Sequence, residues 1–188
     1  MFRDLFPSSK CLFLYRDAVS SARSLHRLSM IIPTMRLAAL IGRFSGKVTA
    51  KVVDSMGLVG SDYRVRLDNE LTLGVLSYAV TTSVYLDMRR RGVDVSALRY
   101  EDLVAHPLDT CRVLLEFCGL PVSLAECAVR AFDVDSQRNS ILARSVLGRF
   151  KDPQLTPEKK AQLNELLKKF GIPSIGEPNI LEGTMLPF

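Results

Sequence analysis

Five consecutive apolar residues, Cys11-Leu12-Phe13-Leu14-Tyr15, stand between Lys10 and Arg16, and no Gly or Pro interrupts the stretch from Asp17 to Ser29 that follows. An unbroken apolar run of this length predicts a strand buried on both faces, as central parallel strands are. Asp17 is placed to cap a helix in which Ala18, Ala22 and Leu25 recur at helical spacing. The first unit is therefore strand, tight turn, helix. The same order returns downstream. Val93 to Tyr100 reads as a second strand ending in Leu98-Arg99-Tyr100, followed by a turn and a helix that Pro107 suits at its first position.

Between them, Leu71, Val75, Tyr78, Thr82 and Tyr85 recur in steps of three and four, which predicts a long helix over Asp68 to Arg91, stopped by Gly92. A shorter helix is expected over Pro33 to Arg43, and a loop or small subdomain over Ser45 to Ser61. Leu108 to Phe117 is amphipathic and closes at Gly119. Ser123 with Glu126 has capping-box spacing and opens a helix to about Phe132. Thr156-Pro157 opens a last helix that Gly171 ends, with 172–188 as an irregular tail. Helices alternating with buried strands predict an α/β fold, a parallel sheet flanked by helices.

With 188 residues, 47% of them apolar, one core and a single domain over 1–188 are expected. The net charge of +5 fits an anionic ligand, although Arg89-Arg90-Arg91 and Lys168-Lys169 fall near helix ends, where they complement the dipole. There is no Trp and no basic stripe with interleaved aromatics, so a nucleic-acid partner is not expected. Cys11, Cys111, Cys118 and Cys127 form no CxxC pair and only His26 and His106 accompany them, so no metal is expected. Cys111, Leu115 and Cys118 share one helical stripe, which predicts buried thiols and a reducing compartment. No export signal is readable, and Pro33 and Arg36 break the apolar run Met30 to Leu40 well short of a membrane span. On these grounds a soluble chain is expected, with the cytoplasm favoured.

The chemistry concentrates where the first strand meets its helix. Ligands of parallel sheets sit outside the carboxyl ends of the strands, and Arg16 is the first polar residue past such an end. Its planar fork matches phosphate, and a helix starting beside it offers N–H groups. Ser24 follows eight positions later, with Ser20 on the same face. The plain alternative is that Arg16 pairs with Asp17 or another surface carboxylate.

A strand, then Tyr15-Arg16-Asp17, then a helix bearing Ser24 resembles the 3′-phosphate-binding segment of sulfotransferases that use 3′-phosphoadenosine 5′-phosphosulfate. Leu98-Arg99-Tyr100-Glu101-Asp102-Leu103, Pro107 and Leu114-Leu115-Glu116-Phe117-Cys118-Gly119-Leu120-Pro121 are similar to a later stretch of the same family, in order and at the right distance. The resemblance implies a P-loop-like parallel sheet and a donor nucleotide held by its 3′-phosphate on Arg16 and Ser24, with Tyr100 near the adenine. Phe132-Asp133-Val134 resembles a segment whose Phe stacks on adenine. Ala143-Arg144-Ser145 stands where the family has Arg-Lys-Gly, which leaves Arg144 as a further phosphate donor, and Phe150 replaces a Trp.

In a complete member of that family a base activates a hydroxyl or amine of a small-molecule or carbohydrate acceptor, which attacks the sulfur. The family's phosphosulfate loop and its His or Glu base precede the segment that matches Arg16. Residues 1–15 contain neither, so the resemblance implies a truncated sulfotransferase domain without catalytic residues of its own. The alternative is a fragment or pseudoenzyme acting as a protein-interaction module.

Overall fold

A computed structural model describes residues 9–32, 71–134, 140 and 143–185, the side chain of Arg144 excepted. The helix expected over Pro33 to Arg43 and the loop expected over Ser45 to Ser61 lie outside the described residues. Within them the fold is mixed α/β, mostly helical with a small parallel sheet. The elements are β1 (Cys11–Tyr15), α1 (Ala18–Ile31), α2 (Thr72–Arg90), β2 (Val95–Arg99), α3 (Tyr100–Ala105), α4 (Pro107–Cys118), α5 (Ala125–Arg130), α6 (Arg144–Leu147) and α7 (Pro157–Lys169). Contacts divide the chain into two compact units.

One unit comprises the described residues of Met1–Arg16, Tyr85–Asp135 and Ile180–Phe188. In it β1 and β2 pair in parallel, from Cys11 opposite Val95 to Tyr15 opposite Arg99. On the other edge of β2, Ala97 donates to the Gly183 carbonyl and accepts from the Met185 amide, so the tail adds a short bridge at Thr184. One face of the sheet is core: Cys11, Phe13, Tyr15, Val95 and Ala97 pack with Tyr85, Leu86, Met88 and Leu181. Phe13 stacks on Tyr85 with ring centres 4.6 Å apart.

The opposite face of β1 corrects the expectation of a strand buried on both sides, because Leu12 is 37% and Leu14 55% exposed. The run is apolar at every position, yet the pleat sends alternate side chains to opposite faces and only one of these is covered. Pro107 opens α4 as expected, and Gly119 closes it in the left-handed conformation at φ 72°. Two local expectations fail. The 3-10 turn Val122–Leu124 precedes α5, whose N-cap is Leu124 without a side-chain cap bond, so Ser123 and Glu126 form no capping box. Cys111 is buried, and burial pushes its thiol pKa up, whereas Cys118 is exposed in the last turn of α4.

The second unit comprises the described residues of Asp17–Val84 and Ser136–Asn179. Its core joins Ala18 and Ala22 of α1, Val75, Tyr78 and Ala79 of α2, and Leu163, Leu166 and Leu167 of α7. The Asp17 carboxylate accepts from the Ser20 amide at 2.8 Å and starts α1. Thr156 caps α7 in the same way through the Lys159 amide, and Gly171 follows its end at φ 67°. Arg27 of α1 grips Asp152 with two hydrogen bonds of 2.7 Å.

Candidate nucleotide-phosphate site

Parallel pairing brings two distant segments together. Tyr15 and Arg99 are register partners and the last residues of their strands, so Arg16 and Tyr100 leave the sheet side by side. The Arg16 guanidinium carbon lies 4.9 Å from the centre of the Tyr100 ring, a cation–π contact. The N–H groups of a guanidinium lie in its plane, the geometry that grips carboxylate or phosphate. Glu101 approaches that edge, with Oε1 3.9 Å from Arg16 Nε. Both side chains are partly exposed, 41% for Arg16 and 36% for Glu101.

The start of α3 is fixed from beneath. Arg99, its N-cap, makes a forked pair with Asp102, which is only 3% exposed. That hydrogen bond is the main reason the Arg99 pKa is raised, with burial opposing it more weakly. The Asp102 carbonyl also accepts from the buried Thr110 hydroxyl of α4 at 3.0 Å. An Asp so committed is not available to Arg16, and its anchoring sets where Tyr100 and Glu101, the two residues before it, emerge.

Of the five side chains singled out from sequence, Arg16 and Tyr100 are in contact with one another. Ser24 is exposed on α1 and belongs to the other unit. Phe132 lies in the 3-10 turn Ala131–Asp133 and is 42% exposed, so its ring is not core. Arg144 opens α6, but its side chain lies outside those described. The helix-start donors expected beside Arg16 are partly used, since the Ser20 amide is taken by Asp17.

Glu101 was missed as a site residue. Its signal was the position itself: an acid directly after the Tyr that ends the second strand-turn, facing whatever leaves the neighbouring strand. Among the described residues, no cluster of His, Cys, Asp or Glu is arranged to hold a metal, and no helix is long and apolar enough to cross a membrane. Comparison with protein-family models, with curated proteins and with solved structures returned no match.

Proposed function

We propose that this chain binds the 3′-phosphoadenosine part of a sulfate donor, in the manner of the sulfotransferases its sequence resembles. Arg16 would take the 3′-phosphate and Tyr100 would border the adenine. By the same resemblance Ser24 and Arg144 would contribute further phosphate contacts and Phe132 a stacking ring. A complete enzyme built on such a P-loop-like sheet would transfer a sulfuryl group from 3′-phosphoadenosine 5′-phosphosulfate to a hydroxyl or amine acceptor, without a metal.

One observation carries the reading. An obligate cation and an aromatic ring, taken from two separate sequence segments that each resemble the family, meet in a cation–π contact at the carboxyl ends of adjacent parallel strands. That is where parallel α/β sheets bind ligands. Calorimetry with 3′,5′-diphosphoadenosine and AMP tests it: the extra 3′-phosphate should tighten binding, and equal affinities would remove the assignment.

A second reading, a protein-interaction module, is favoured by exposed apolar side chains of the same unit. Val104, Leu120, Val122, Leu124 and Val134 are between 42% and 64% exposed. It predicts no nucleotide binding at all.

A further inference from the structure

Arg16 already has an anion beside it. Glu101 Oε1 stands 3.9 Å from Nε, and Glu101 is the residue next to Tyr100, whose ring lies 4.9 Å from the guanidinium carbon. The nearby Asp102 is engaged by Arg99 and buried, so among the acids that open α3 Glu101 is the one that reaches Arg16. We infer that Glu101 is a built-in competitor for the ligand: it neutralises Arg16 in the empty site and must be displaced before a phosphate can take the same N–H edge. The inference rests on the proposed role of Arg16 as a phosphate anchor.

The geometry suits exchange rather than permanence. The approach of Glu101 Oε1 to Arg16 Nε, at 3.9 Å, is longer than a charge-assisted hydrogen bond, which spans about 2.7–2.9 Å, and the Glu101 side chain as a whole is partly exposed. A phosphate offers oxygens that can meet two N–H groups of the fork at once. Tyr100 keeps its cation–π contact with the same guanidinium whichever anion is beside it. Two neighbouring residues of α3 thus act in opposite senses on one arginine: the ring orients it and the carboxylate lowers its affinity for anions.

The test is a mutant cycle on the full chain, with wild type, Glu101→Gln, Arg16→Ala and the double variant titrated calorimetrically with 3′,5′-diphosphoadenosine and with AMP. Glu101→Gln is expected to tighten 3′,5′-diphosphoadenosine by about two- to fivefold, the range open to an exposed ion pair. AMP should gain less, and the gain should vanish when Arg16 is absent. Glu101→Ala, with circular dichroism on every variant, guards against a folding artefact and should give the same sign. If Arg16→Ala weakens the nucleotide but Glu101→Gln leaves it unchanged or weaker, the competitor role is wrong and the phosphate anchor stands. Tightening of the same size without Arg16 would be a general charge effect and would also overturn the inference. If Arg16→Ala changes nothing, the anchor itself fails and the inference with it.

Discussion

Gly74 of α2 lies directly against Ala22 of α1: a Cβ built on Gly74 would come 2.4 Å from the Ala22 Cα and 2.7 Å from its Cβ. Both residues are buried within one unit, so here the two helices meet backbone to backbone. Gly inside a helix ordinarily costs about 0.5–1 kcal/mol relative to Ala, and close approach is what offsets that cost. Gly74→Ala should therefore destabilise, by about 1–3 kcal/mol net of its better propensity, because the obstacle is backbone and cannot swing aside. A urea unfolding curve reads this as a lower midpoint; an unchanged or higher midpoint would show that the helices can part without loss.

In the other unit, the Tyr15 hydroxyl accepts from the Leu181 amide at 3.2 Å and exchanges a hydrogen bond of 2.8 Å with the Thr184 hydroxyl. Tyr15→Phe keeps the ring but leaves a buried amide without that acceptor. A loss of about 1–3 kcal/mol is expected, with faster amide exchange at Leu181 as the local signature. Were exchange at Leu181 unaltered, the bond would not be what pins this part of the tail.

Arg27 holds the Asp152 carboxyl below the usual carboxylate range, chiefly through its hydrogen bonds, with burial opposing. A depressed acid contributes stability at pH values above its unfolded pKa, near 3.9. That contribution fades as pH falls through the lower, folded value. Asp152→Asn should cost about 1 kcal/mol or less at pH 7, since the pair is partly exposed. The difference from wild type should shrink below about pH 3.9. Equal pH profiles for the two proteins would remove the pair from the stability account.

Tyr100 touches Arg16, so its truncation has two consequences where the family resemblance alone implies one. Tyr100→Ala should weaken AMP and 3′,5′-diphosphoadenosine alike if the ring borders adenine, by about 1–3 kcal/mol. It should also narrow the preference for the 3′-phosphate, because the guanidinium loses the face that orients it. Tyr100→Phe keeps a ring and should restore the preference. A preference untouched in Tyr100→Ala would mean that the stack does not position Arg16.

How much of this was legible in the sequence follows from what each residue depends on. The strand-turn-helix units, the Pro107 start, the Gly119 and Gly171 stops and the Asp17 and Thr156 caps are set by local backbone chemistry, and they stand where the residues put them. Leu12 and Leu14 were misjudged because burial of a strand's second face depends on what else covers it, which an apolar run does not state. Cys118 fails for a related reason: it shares a stripe with Cys111 but lies in the last turn, where the helix leaves its support. At the site, Arg16 and Tyr100 were singled out separately. Their contact depends on the register of Tyr15 with Arg99, a pairing between distant segments that no local pattern encodes.

The central claim is that Arg16 distinguishes nucleotides by their 3′-phosphate, and the most direct measurement is the affinity ratio of 3′,5′-diphosphoadenosine to AMP in wild type and in Arg16→Ala. The account predicts a clear preference in wild type that the substitution abolishes, with about 2–4 kcal/mol lost for the diphosphate and little for AMP. A preference of the same size in both proteins, or none in wild type, would contradict it.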